Sequence, residues 1–173
     1  MHRTQNPTGP AADTDDTTPV VTPADIMRGA ALYLEIHGWH QRDYYATTSE
    51  PFPAADVAGA IGMAAHGGFH DVPSIAGPHV RDYIVAYAYL TTYLLDQGEI
   101  APRDDDPLSN VNQWNDDPSQ TVEKVTATLR SAADEYDWQH ASEDDLETYG
   151  ENELDYDRVP TREGFLAWLA ARR

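Results

Sequence analysis

The chain has 173 residues, 30 Asp and Glu against 11 Lys and Arg, a formal charge of −19 and no cysteine. This length supports one domain with a core plus tails, and the absence of cysteine excludes disulfides and thiolate chemistry. The negative charge is spread out, about −2 over 1–20, −5 over 21–98, −6 over 99–136 and −6 over 137–173, and Lys124 is the only lysine. Direct binding to nucleic acid or to an anionic membrane needs clustered Lys and Arg, which no segment supplies.

Residues 1–21 are Pro/Thr/Asp-rich, lack the apolar run of a signal peptide, and read as a disordered leader. No apolar stretch approaches the roughly 20 residues of a membrane span. A cytoplasmic location is expected. Thr22-Pro23-Ala24-Asp25 then announces a helix over 23–37, with Thr22 as N-cap, Pro23 at N1 and Asp25 favouring the first-turn dipole. Gly38 fits the position after the helix, with positive φ. Trp39 to Pro53 carries no helical period and reads as irregular or extended. From Ala54 to Ala65 a small apolar stripe, Val57, Ala58, Ile61, Ala64 and Ala65, predicts a closely packed helix. Gly59 and Gly62 weaken it by roughly 1 kcal/mol each relative to Ala, and close backbone contact would compensate.

His66-Gly67-Gly68-Phe69-His70 breaks that helix. A third helix over 78–97 has Val80, Ile84, Tyr87, Ala88, Thr91 and Leu95 on one side, with Tyr83, Leu90, Tyr93 and Leu94 widening the arc. This makes it the expected centre of the bundle. Residues 99–112 read as an acidic loop. A fourth helix over 119–136, capped by Ser119 or Thr121, carries Val122, Val125, Leu129, Ala132, Ala133 and Tyr136. From Asp137 to Asp157 there are nine acidic residues and no Lys or Arg, the composition of a solvated connector. Thr161 then caps a short helix. The sequence thus predicts an all-α fold: a 1–21 leader, a bundle of about four helices over 22–136, an acidic linker over 137–160 and a C-terminal helix over 161–173.

Three segments together carry a family resemblance. They are His37-Gly38-Trp39-His40-Gln41, Gly59-Ala60-Ile61, and Trp114-Asn115-Asp116-Asp117-Pro118 with Thr121, Val122, Glu123 and Val125 after it. Over about 24–136 the chain resembles a family of small actinobacterial and phage-borne proteins known only as a domain of unknown function. Members of that family often have a cysteine before the Gly-Ala segment. Asp56-Val57-Ala58 stands there in this chain, so a cysteine-dependent role does not carry over. The resemblance implies a fold and no reaction.

Two candidate sites follow. Trp39, Gln41, Trp114, Asn115 and Asp116 join tryptophans to polar side chains, either as a ligand pocket or as structural anchors satisfying loop amides. Phe165, Leu166, Trp168 and Leu169 make the terminal helix too apolar for an exposed tail, so it docks on its own domain or enters a partner's groove. His66, His70 and His79 with a carboxylate would make a conceivable zinc site, but Gly67-Gly68 interrupts the helix and surface or helix-end histidines are the simpler reading. Asp104-Asp105-Asp106 lacks EF-hand spacing. There is no phosphate loop, nucleophile elbow or cofactor motif. The expected function is therefore a non-catalytic accessory or regulatory protein acting on another protein, with a basic surface as one form of that partner. No cofactor or metal is expected. The alternatives are a small-ligand-binding protein or enzyme with its pocket near the two tryptophan motifs, or an acidic mimic of DNA that inhibits a DNA-binding protein.

Overall fold

The structure, a computed structural model, describes residues 21–102, 107–153 and 161–172. Among these residues there are seven helices and no strand: α1 (Pro23–His37), α2 (Val57–His66), α3 (Val80–Asp96), α4 (Pro107–Asn115), α5 (Val122–Gln139), α6 (Glu143–Glu153) and α7 (Arg162–Ala170). The all-α expectation holds. The four bundle helices and the tail helix read from the sequence correspond to α1, α2, α3, α5 and α7. Two further helices, α4 and α6, form within the segments read as an acidic loop and a solvated connector. Pro107 opens α4, where its fixed φ costs nothing. Ser142 starts α6 by accepting from the Asp145 N–H at 3.0 Å and donating to the Asp145 carboxylate at 2.7 Å. Glu143, Asp144 and Asp145 then suit the positive end of the helix dipole. Residues 1–20 of the leader, Asp104 to Asp106 and the 154–160 part of the linker lie outside the described residues.

The start of α1 is a complete capping box. Thr22 Oγ1 accepts from the Asp25 N–H, and the Asp25 carboxylate accepts from the Thr22 N–H at 3.0 Å. Gly38 ends the helix with φ +96° and donates its N–H to Leu34 O. The helix sits among α2, α3 and α5 and buries Ala24, Ile26, Met27, Ala30, Ala31 and Leu34.

The expectation that the third helix is central and most buried is not met. Eight of the ten residues of α2 are buried, against six of the seventeen of α3. The reason is side-chain size. A Cβ on Gly59 would stand 2.2 Å from the Tyr44 carbonyl oxygen, and one on Gly62 would stand 2.5 Å from Pro73, so these glycines let the surrounding chain lie directly on α2. Helix α3 is also rotated from the predicted face. Tyr83, Ala86, Tyr87, Leu90, Thr91 and Leu94 point inward, while Ile84 and Ala88 are exposed. An apolar arc this wide does not by itself fix which of its edges faces the core.

The buried face of α5, with Val125, Leu129, Ala132 and Ala133, follows the predicted stripe. The helix continues past the predicted end because Asp137 is held rather than solvated. Arg28 reaches from α1 to Asp134 at 2.5 Å and to Asp137 at 2.7 Å. Arg130 grips Glu35 through both nitrogens at 2.6 Å, and that contact draws the Glu35 carboxyl below its usual range.

Helix α7 lies on its own chain. Phe165 is buried among Trp138 of α5, Tyr149 of α6 and Trp168, with ring centroids 5.7–5.9 Å apart. Arg162 pairs with Glu135 at 3.1 Å, and Arg172 lies 4.4 Å over the Trp168 ring. Leu166, Trp168 and Leu169 are half-buried. Of the two occupancies the sequence left open for this helix, the structure shows docking in cis, with Phe165 buried.

Two tests follow. Gly59→Ala should destabilise the protein by about 1–3 kcal/mol through overpacking. Gly68→Ala, where no atom lies within 4 Å, should stay within about 0.5 kcal/mol of wild type; thermal melts of the pair check this. Phe165→Ala removes on the order of 1.5–3 kcal/mol of burial. The amides of α7 should then lose protection from hydrogen exchange while those of α1 and α2 keep theirs.

Candidate functional site

The loop after α1 and the C-terminal end of α4 meet at one side chain, Asn115, which is 1% exposed. Its Oδ1 accepts from the Trp39 indole N–H at 2.9 Å and from the Val57 backbone N–H at 3.3 Å. Its Nδ2 donates to Asp116 Oδ1 at 2.9 Å and to His40 O at 3.5 Å. A carboxamide has two donors and two acceptor lone pairs, and all four are in use. Gln41 reinforces the joint by donating to the backbone carbonyls of Asn115 and Asp117 at 2.8 and 3.2 Å. Asp116 accepts from the Arg42 N–H at 2.7 Å. Arg42 has φ +84°, the only positive φ outside glycine among the described residues, and this bond helps hold it there. The 38–56 loop is further pinned by His40 N–H to Ala55 O at 2.8 Å and Asp56 N–H to Tyr44 O at 3.0 Å.

Four of the five predicted pocket residues, Trp39, Gln41, Asn115 and Asp116, therefore do come together. They form a hydrogen-bonded clasp whose central amide has no capacity left for a ligand. The fifth, Trp114, is buried and directed elsewhere: its indole N–H points to Glu99 Oε2 at 3.4 Å. The two tryptophans line separate clefts of about 290 Å³ each. Trp39 shares its cleft with Leu34, Glu35, Val122 and Thr126, and Trp114 shares its own with Glu99, Gln120 and Lys124.

Next to the clasp lies a residue the sequence reading left unused. Asp56 caps α2, accepting from the Gly59 N–H at 2.6 Å, and is buried. Burial pushes its carboxyl up to about 7, against the lowering effect of the Gly59 and Ala58 amides, and the nearby Asp116 charge pushes the same way as burial. The available signal was an Asp immediately before an apolar run with a small residue at the third position. The buried phenols of Tyr45 and Tyr83, close by, are also shifted upward by desolvation.

The histidines serve the chain itself. His66 is buried, its Nε2 lies 2.9 Å from Pro73 O, and its Nδ1 accepts from the His79 N–H at 3.2 Å. That pattern fixes the Nε2–H tautomer, and both nitrogens staple the 67–79 loop. His70 lies edge-on to His66, and His79 faces Asp82 at 3.2 Å. A zinc ion on His66 Nδ1 would displace the His79 N–H that this nitrogen accepts. Among the described residues no three His, Asp or Glu side chains are grouped to hold a metal.

The clasp, the Asp56 cap and helices α1 to α4 fall within one matched region. The chain belongs to a family of unknown function, DUF6197, whose model matches residues 18–135. No curated protein and no solved structure matches it significantly. The family match ends inside α5, so α6 and α7 lie beyond it.

Asp56 yields a pH prediction. Its folded-state value is above its ordinary one, so the folded protein holds a proton that the unfolded chain releases. The associated stability is fully present below about pH 4 and is lost as pH rises through about 7. Asp56→Asn keeps a good cap and removes the buried charge. It should raise stability by about 1–3 kcal/mol near pH 8 and change it little near pH 4. Thermal melts of both proteins across that range check the sign. A gain that does not depend on pH would contradict it.

Proposed function

We propose that this protein is a non-catalytic accessory or regulatory protein of the cytoplasm that acts by contacting another protein. The observation that carries this reading is an unpartnered apolar strip on the outer face of α1. Leu32 and Ile36, one turn apart, are 53% and 64% exposed, and Phe52 beside them is 54% exposed. Tyr33 and His37, on the adjoining side of α1, lead towards Phe52: Phe52 stacks on His37 at 5.4 Å, and the His37 and Tyr33 rings lie tilted at 4.6 Å. Scattered exposed apolar residues are ordinary, but a contiguous group of large ones suits a partner.

The charge of the flanks supports a partner of complementary sign. Arg28, one turn before Leu32, is engaged by Asp134 and Asp137, and Arg130 by Glu35. The cations nearest the strip are thus neutralised within the chain, in a protein of net charge −19. The complementary surface is apolar at its centre and basic at its rim, and electrostatic steering would speed its arrival. No described helix is long and apolar enough to cross a membrane, and the cysteine-free composition fits a reducing compartment.

The test is affinity purification from the native host with the wild-type chain and with a Leu32→Ser/Ile36→Ser variant. Both side chains are exposed, so the variant should melt within about 0.5 kcal/mol of wild type. A specific partner should be retained by the wild type, released as salt rises, and not retained by the variant. Identical capture by the two proteins would overturn the assignment of this face.

A further inference from the structure

Helix α3 turns a second, uncharged face outward. From Tyr83 to Leu95 it carries no charged residue, in a chain of net charge −19. Ile84, Val85, Ala88 and Thr92 recur at three- and four-residue spacing and so share one side of the helix. All four are exposed, Ile84 at 45% and Val85 at 47%. Thr92 donates its hydroxyl to Ala88 O at 3.1 Å, so it needs no polar partner from outside. The two ends of this face carry opposite charges. Arg81, before it, is exposed and forms no ion pair among the described residues. Asp96, after it, is also exposed and without an ion pair among the described residues. It lines a cleft of about 180 Å³ together with Tyr89, Thr92, Tyr93 and Glu135. Phenol rings beside a carboxylate are surroundings that favour a guanidinium. Glu135 already holds Arg162 at 3.1 Å, which leaves Asp96 as the open acceptor.

We propose that this face binds a second copy of the chain, with α3 antiparallel to α3 about a two-fold axis at Ala88. Ala88 is the midpoint of the helix, Val80–Asp96. Arg81 precedes it and Asp96 follows it by nearly equal distances, roughly 10 and 12 Å along the axis. The two-fold therefore brings Arg81 of each copy level with the Asp96 cleft of the other, and both ion pairs form at once, as an isologous contact requires. The small side chain of Ala88 lets the two helices approach closely, while Ile84 and Val85 of each copy pack beside Thr92 of the other. Two acidic chains repel each other over most of their surface. A face with no charge between its ends, and opposite charges at them, is where that repulsion is least. The contact is independent of the partner-binding reading, since Leu32, Ile36 and Phe52 take no part in it.

The experiment is sedimentation equilibrium of the full chain from the low to the high micromolar range. A reversible monomer–dimer equilibrium is expected. Ala88→Arg sets two like charges against each other on the axis and should weaken the dimer at least about a hundredfold, while circular dichroism stays that of the wild type. Arg81→Asp and Asp96→Arg should each weaken it about tenfold. An equimolar mixture of these two variants should dimerise again, because each opposite pair is then restored between unlike chains. Leu32→Ser/Ile36→Ser should dimerise as the wild type does. A monomer at every concentration would overturn the proposal and leave the face to residues 1–20 or to a protein of another sequence. A dimer indifferent to Ala88→Arg, a dimer lost in Leu32→Ser/Ile36→Ser, or no recovery in the mixture would each overturn it as well. If Ala88→Arg does not fold, the mixture decides the matter.

Discussion

The fold depends on the saturation of one buried carboxamide. Asn115 ends α4, yet its side chain holds the indole of Trp39 from the end of α1, the first amide of α2 at Val57, and the His40 carbonyl of the intervening loop. Three backbone segments far apart in sequence thus share one polar group in a water-excluded position. Networks of this kind are rigid when complete and costly when broken, since each released donor or acceptor stays buried without water. The clasp explains why the two tryptophan motifs belong together. Their polar atoms are consumed in joining elements.

The second constraint is the close approach of backbone to α2. Its small side chains leave room for the Tyr44 carbonyl and for Pro73 directly against the helix. Such an approach would bury helix-end amides, and Asp56 satisfies those at the N-terminus. The carboxylate is the capping group and also the buried charge, so local helix stability is coupled to proton concentration through desolvation. At the other end of the helix, His66 performs the corresponding task for the 67–79 loop with a neutral ring.

Acidity has different consequences in different places. Glu35, Asp134 and Asp137 tie α1 to α5 by taking up Arg28 and Arg130. The acidic first turn of α6 stabilises that helix through its dipole.

The sequence by itself determined the all-α class, the placement of five of the helices, the Thr22 and Thr161 caps, and the turn at Gly38, while it left the cap of α5 open between Ser119 and Thr121. These are local properties: periodicity, capping chemistry and backbone freedom act within a few residues and leave their mark there. It also singled out Trp39, Gln41, Asn115 and Asp116, because a tryptophan beside amides at a helix end signals an anchored loop. Tertiary structure alone decided that Asn115 fills its own valences from three directions and that Trp114 turns away to a different cleft. It also decided that α2 rather than α3 is innermost. The uncharged 107–115 and the acidic 143–153 became helices because Pro107 and Ser142 supplied their starts, and Asp137 and Trp138 found partners on α1 and α7 instead of solvent. Burial depends on which surfaces approach, and the width of an apolar arc or the sign of a charge does not contain that information.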